Sequence, residues 1–228
     1  MVNITSPFKY TELKRKSVEG KRLYANPFGD PVPSVTTILS ATKPYEARQA
    51  LANWKKRVGE EEAQRITTEA ANVGTLMHAI LEAYVGNEEY EHGNNIIHRQ
   101  ARQMAETVIS NIDPYLDEVW GAEVNLCAPN LYAGTTDLVG VWKGKPTIMD
   151  FKQTNKPKKA EWVEDYYLQM TAYALAHNEL FGTNIREGHV FMCARDLTYQ
   201  QFDLWPDDFN KWSDAWWSRC EEYYSKFG

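Results

Sequence analysis

The sequence is short of cysteine, of repetition and of uninterrupted apolar stretches. Its three cysteines, Cys127, Cys193 and Cys220, are odd in number, lie far apart and form no C-x-x-C pair. That excludes a disulfide framework, zinc ribbons and cysteine-bound iron–sulfur clusters, and it leaves the thiols as buried apolar groups. No segment approaches the roughly 18 to 20 apolar residues that cross a bilayer. No internal repeat or low-complexity tract occurs. The opening residues MVNITSPFKYTELKRKS carry lysine and arginine but also Glu12, with Glu19 just beyond, and have no apolar core. A secretory signal is therefore not expected, and a cytoplasmic protein is. What is present, 43% hydrophobic and 25% charged residues over 228, is ordinary globular composition and implies one domain, 1–228.

A formal net charge of −6 argues against a polyanion ligand, because lysine and arginine dominate affinity for phosphates. The distribution argues the other way. Residues 1–24 hold six basic and two acidic side chains, and 143–159 hold six basic against Asp150 alone. Residues 196–228 hold seven acidic and three basic. Such segregation fits a one-sided polyanion site, and it fits solvated faces as well.

Hydrophobic spacing divides the chain into an N-terminal arm (1–45), a helical part (46–121) and an α/β core (122–228). The arm, rich in proline, glycine and lysine, has one apolar patch, VTTILSAT, between Pro33 and Pro44, and reads as irregular with a short element. A polar helical pattern covers 45–65. Val73, Leu76, Met77, Ile80, Leu81 and Tyr84 then form a helical stripe ended by Gly86-Asn87, and a third helix is expected over 97–120. From 123 the period becomes two. Strands are expected at 123–127, 132–142 and 146–151, a helix at 160–181, strands at 188–194 and 198–204, and a tryptophan-rich helix at 207–224. The order implies an α/β fold with a mixed central β-sheet flanked by helices and an N-terminal helical part.

The segment YAGTTDLVGVWKGKPTIMDFKQT carries the chemistry. With Lys143-Gly144 as a two-residue turn, Trp142 faces Lys145, and counting back along both strands puts Asp137 opposite Asp150. Directly opposed Cβ atoms lie about 4.5 to 5.5 Å apart, where like charges destabilise unless compensated. A divalent cation compensates, and oxygen ligands suit Mg²⁺ or Mn²⁺. Lys152, two residues on, shares the face of Asp150 and can stabilise charge on a phosphate. An acid-x-Lys triplet arises by chance on the order of once in such a chain. Glu12-Leu13-Lys14 and Glu19-Gly20-Lys21 are two such occurrences. What sets Asp150-Phe151-Lys152 apart is its apolar strand, the partner strand bearing Asp137 and an upstream strand bearing Glu123.

These residues resemble the PD-(D/E)XK nuclease superfamily, in particular its RecB-like branch, which takes in mitochondrial genome-maintenance and related phage exonucleases. Gly74-Thr75-Leu76-Met77-His78 resembles that branch's G-x-x-x-H motif, and Gly134-Thr135-Thr136-Asp137 its G-x-x-D motif. Asp150-Phe151-Lys152 resembles the D-x-K core, and Gln169-Met170-Thr171-Ala172-Tyr173 the Q-x-x-x-Y helix. Pro33-Ser34-Val35-Thr36 is similar to the P-S-V-T segment of the mitochondrial group. The resemblance implies a restriction-endonuclease-like core. It implies that His78, Asp137, Asp150 and the Phe151 backbone carbonyl bind Mg²⁺ or Mn²⁺, that Lys152 is catalytic and that Glu123 is an acid near the metal. The cysteines of the iron–sulfur members are absent, so no such cluster is expected, and without a match to the helicase portion of RecB the expectation is a free-standing nuclease or one that borrows a motor.

Taken alone, His78 reads as a structural hydrogen-bonder on a helix, with Gly74 one turn earlier leaving room for close backbone approach; as a ligand it shifts preference toward Mn²⁺. Gln169 and Tyr173 share a helix face and suit either a nucleic-acid contact or the orientation of the Lys152 strand. Lys156, Lys158 and Lys159 follow the core strand and suit phosphate contacts or a solvated loop. Ser34 and Thr36 suit phosphate binding or a helix cap. Trp54, Tyr84 and Trp162 suit base stacking or packing, and Phe209, Trp212, Trp216, Trp217 and Tyr223 suit a core.

The expected function is a metal-dependent exonuclease that hydrolyses phosphodiester bonds from DNA ends, single strands preferred, in replication, recombination or repair. A phage-encoded protein acting in a host cytoplasm fits this expectation. Two rivals are a structure-specific endonuclease of the same fold and a non-catalytic DNA-binding recombination module; hydrolysis of RNA is a third.

Overall fold

The arm makes short strands rather than irregular chain. The structure, a computed structural model, describes residues 1–18 and 21–227, without the Lys21 side chain. Of the triplet Glu19-Gly20-Lys21, Glu19 and Gly20 lie outside the described residues. Strands β1 (Arg15–Val18), β2 (Lys21–Tyr24) and β3 (Val32–Pro33) form a small antiparallel sheet. This corrects the expectation of an irregular arm. The patch between the prolines is helix α1 (Val35–Ala41), whose first turn is capped by the Ser34 hydroxyl accepting from the Thr37 N–H.

The polar pattern after Pro44 splits into α2 (Tyr45–Val58) and α3 (Glu60–Val85). The break is Gly59 at φ 86°, a left-handed conformation that a residue with a Cβ resists. Helix α4 (Ile96–Ile112) stops eight residues earlier than the spacing suggests, because Pro114 supplies no N–H and its ring clashes with a preceding carbonyl. Leu116 and Val119, expected on that helix, instead point inward from strand β4 (Leu116–Ala128), so the α/β core starts at Leu116 rather than at residue 122.

The remaining elements follow the expected order: β5 (Tyr132–Trp142), β6 (Lys145–Thr154), a 3-10 turn (Ala160–Trp162), α5 (Glu164–Phe181), β7 (Glu187–Ala194), β8 (Tyr199–Leu204) and α6 (Phe209–Phe227). The five long strands lie in the order β4-β5-β6-β7-β8. Only β6 and β7 run parallel, as the intervening α5 crossover requires; the other neighbours are antiparallel. The sheet is therefore mixed, with helices on both faces.

Period-two alternation sorts the side chains into two apolar layers. Val139, Ile148, Val190 and Met192 pack with α1, α5 and α6, where Trp216 is fully buried and Phe209 and Tyr223 join it. Leu138, Met149 and Phe191 pack with Met77 and Leu81 of α3 and Met104 and Val108 of α4. Each fully buried aliphatic side chain contributes about 1.5 to 3 kcal/mol. All three cysteines are free and buried, as their scarcity suggested.

The feature that makes a site is where pairing stops. Strands β4 and β5 stay paired down to Ala128–Tyr132, and β6 and β7 out to Thr154–Ala194. Between β5 and β6 the ladder runs from the Trp142–Lys145 turn only as far as Leu138–Met149. Each strand follows its outer neighbour, and the two part. The register is the one expected, and Asp137 and Asp150 are the first residues beyond the fork.

Candidate active site

Asp137 replaces the missing ladder bond with its side chain: its Oδ2 accepts from the Phe151 N–H at 2.7 Å. A carboxylate held by a backbone donor has a fixed direction. Asp137 also lies 3.6 Å from His78 Nδ1, too long for a good hydrogen bond and suited to two groups facing a common partner. On the other side of Asp137, the β4–β5 register of Ala122–Leu138 and Val124–Thr136 puts Glu123 across from it. Glu123 adopts φ 49°, a conformation costly for a residue with a Cβ, at the point where its side chain joins the other acids.

One donor atom from each of His78, Glu123 and Asp137 falls within 4.8 Å of the others. This triad differs from the expected set. Asp150 is 2% exposed and is engaged by Lys152 Nζ, which turns its carboxylate toward the lysine. Phe151 contributes its amide to Asp137, and its ring stands edge-on to His78 with centroids 6.3 Å apart.

Electrostatics mark the site as short of positive charge. Burial raises the Asp150 pKa, and Asp137 raises it further, against the pull of Lys152. Burial pulls Lys152 down, but Asp150 and Asp137 outweigh it and keep the ammonium charged. Glu123 is pushed up to about 7 by the protein around it and then by Asp137, Glu82 and Asp150. Its side chain still reaches solvent, so water screens part of the effect, but the direction follows from four acids against one lysine. A divalent cation relieves that crowding, and an imidazole with carboxylate oxygens is a donor set that such a cation accepts. The residues fit the metal.

These groups line a cavity of about 660 Å³. Its walls also carry Ser34, Thr36, Gly74, Gln169 and Tyr173, so most of the expected constellation comes together. Ser34 and Tyr173 each have a structural contact beside their place in the wall. Ser34 is a buried helix cap that also touches the cavity, with its hydroxyl 3.0 Å from that of the exposed Thr36. Tyr173 is buried against Gly134, where an added Cβ would come within 2.7 Å of the tyrosine oxygen. Close approach is thus the role of Gly134, not of Gly74, whose added Cβ would meet only Gln153 at 3.9 Å.

The lysines after the core strand are not brought to the site. Lys158 is fixed through its backbone to the Gln200 side chain at 2.7 and 2.8 Å, Lys159 sits over Trp162, and neither they nor Lys156 line the cavity. The stacking candidates are elsewhere too. Tyr84 donates to Asp113, Trp54 lies against α3 beside Glu60 and Glu61, and Trp162 is exposed beneath Lys159.

The sequence reading missed Arg15, Arg22, Tyr24, Glu82 and Thr135, all of which line the cavity. The density of basic residues in 1–24 was the available signal for the arginines. It could not say which of them the chain would turn inward.

Residues 39–224 match the family model described as the PD-(D/E)XK nuclease superfamily. The chain belongs to that superfamily. With the acids at a fork and a paired lysine beside them, this member has the chemistry of a nuclease. Among curated proteins it is similar to mitochondrial genome maintenance exonuclease 1 of Mus musculus, 28% identical over 207 residues, 86% of this chain and 60% of that protein. The Xenopus tropicalis and Homo sapiens proteins of the same name are 26% and 25% identical, again over 86% of this chain, and 58% and 59% of theirs. The chain thus spans about three fifths of the length of these relatives. They are vertebrate and mitochondrial by name, and lend no support to the expected phage origin. A solved protein from Eubacterium rectale overlays with a TM-score of 0.46 at 10% identity over 63% of each chain, too loosely to carry an argument. No helix among the described residues is long and apolar enough to cross a membrane.

Proposed function

We propose that this nuclease is a DNA exonuclease that hydrolyses phosphodiester bonds from strand ends, prefers single strands and requires Mg²⁺ or Mn²⁺. The observation that carries the reading is the row Glu123, Asp137 and Asp150 across three adjacent strands, with Lys152 against Asp150 and His78 against Asp137. His78, Glu123 and Asp137, with Asp150 behind them, would hold the cation. A bound divalent cation polarises a phosphoryl oxygen and makes water a better nucleophile near neutral pH.

The protein's own residues do the rest. Lys152, kept protonated by Asp150, presents an ammonium to the oxygens on which negative charge grows. Asp150 fixes the position of that ammonium. Asp137 is held in place by the Phe151 N–H, so it need not reorganise during reaction. Gln169 and Tyr173 line the cavity from α5, the tyrosine seated on Gly134.

End dependence and the role in genome maintenance come from the relatives' name, which joins an exonuclease to maintenance of the mitochondrial genome. A strand-end requirement is tested with linear and circular single-stranded DNA of one sequence, and strand preference with the linear duplex. Loss of the linear strand with the circle intact is expected. Nicking of the circle would identify an endonuclease of the same fold, and metal-independent binding without cleavage would identify a recombination module.

A further inference from the structure

Part of the lining of the cavity that holds the acids comes from the arm, and its charge is opposite in sign. Arg15 and Arg22 line it from β1 and β2. The register places Arg15 across from Tyr24 and Ser17 across from Arg22. Opposed residues share a face, and alternate residues along a strand share it too. Arg15, Ser17, Arg22 and Tyr24 therefore lie on one side of the hairpin, and Lys16 and Leu23 on the other.

That face is anchored to the catalytic sheet. Tyr24 is 3% exposed, and its hydroxyl lies 3.1 Å from that of Thr135, two residues before Asp137 on β5. Asn125 of β4 donates to the same Thr135 and accepts from the Leu13 N–H. The Arg22 backbone is held on both sides: its N–H donates to the Thr37 hydroxyl at 3.2 Å, and its carbonyl accepts from the Ser34 N–H at 2.9 Å. The cap of α1 thus doubles as the seat of Arg22.

The guanidinium groups themselves are left over. Both arginines are exposed, and among the described residues neither has an ion pair, whereas Arg65, Arg102, Arg195 and Arg219 each engage a carboxylate. Two unpaired arginines on a fixed backbone, in the same cavity as Lys152, form an anion site with the planar fork that suits phosphate.

We propose that the inner face of this hairpin is a clamp for the phosphodiester backbone, with Arg15 and Arg22 holding phosphates of the substrate strand next to the one cut beside Lys152. This rests on the DNA-cleaving reading and adds the second binding wall to it. The clamp touches phosphates and no base edges, so it contributes affinity without sequence preference.

The test is the salt dependence of binding to a fluorescent single-stranded oligothymidine in EDTA, with cleavage kinetics in Mn²⁺ measured in parallel. The Arg15→Ala/Arg22→Ala protein should lose about 1.4 from the slope of log affinity against log salt, at about 0.7 per phosphate. Its affinity should fall about tenfold per arginine, and KM should rise while kcat at saturation stays within about twofold. Lys16→Ala, on the opposite face of the same strand, should keep the wild-type slope. Single Arg15→Gln and Arg22→Gln proteins give half the effect each and serve if the double variant folds poorly. An unchanged slope and KM in the arginine variants of a chain that binds and cuts DNA would overturn the clamp alone, as would an equal loss in Lys16→Ala. A wild-type chain that neither binds nor cuts DNA would remove the clamp and the DNA reading together.

Discussion

At the scale of single residues, the site depends on a few groups with no alternative place to go. Gly134 is one, because Tyr173 occupies the space a Cβ would need. Gly134→Ala should cost about 1 to 3 kcal/mol, as overpacking does, and should lower cleavage by displacing Tyr173. Urea unfolding and a rate measurement on one preparation check both. His177 is another. It is fully buried between Tyr10 and Thr183, hydrogen-bonded to both hydroxyls, with its pKa lowered to about 4 by burial. The unfolded imidazole takes up a proton near 6.5, so between 6.5 and about 4 the unfolded state binds more protons than the folded one. The His177 contribution is thus complete above pH 6.5 and is lost as pH falls toward 4, by about 3 kcal/mol at most. Raised carboxylates such as Glu123 act in the opposite sense over the same range, so the comparison must be with His177→Gln. Wild type should lose more stability than that variant between pH 7.5 and 4.5, and parallel losses would reject this role of the histidine.

At the scale of elements, the α1 cap joins stability to the site. Ser34→Ala removes the bond to the Thr37 N–H and should cost about 1 kcal/mol, read from the thermal midpoint. It should also weaken DNA binding, since the Ser34 hydroxyl lies 2.8 Å from that of Thr37, which accepts from the Arg22 N–H. The same element marks how far the sequence can be read. The hairpin around Lys143-Gly144, the acids beyond it and the Lys152 strand were legible, because alternation and a two-residue turn fix which side chains share a face. The end of α4 was not, because Leu116 and Val119 continue the helical spacing across Pro114 while serving the core from β4. The small arm sheet was missed because its strands, Arg15–Val18 and Lys21–Tyr24, are mostly exposed and carry no buried stripe to read. The lysines after β6 looked like a binding loop from their charge alone. The Lys158 backbone is instead held by the Gln200 side chain of β8, a contact of residues 42 apart that no local pattern contains.

At the scale of the whole molecule, the charge segregation has a structural meaning. The net charge is −6, yet among the described residues the cavity draws two arginines from the arm and none of its lining from beyond Tyr173, where the acidic C-terminal part lies. The cavity is also assembled from every part of the fold that the domain divisions separate: arm, α3, the β4–β5–β6 fork and α5. The proposed metal, lysine and strand contacts therefore stand or fall together with the packing of the chain. The most direct measurement is degradation of an end-labelled linear single strand by wild type and by folded Lys152→Ala, each in Mg²⁺, Mn²⁺ and EDTA. The account predicts degradation by wild type with either metal, none in EDTA, and a loss of at least about a thousandfold in Lys152→Ala that keeps a native circular dichroism spectrum at the assay temperature. Degradation in EDTA, or wild-type rates from Lys152→Ala, would contradict it.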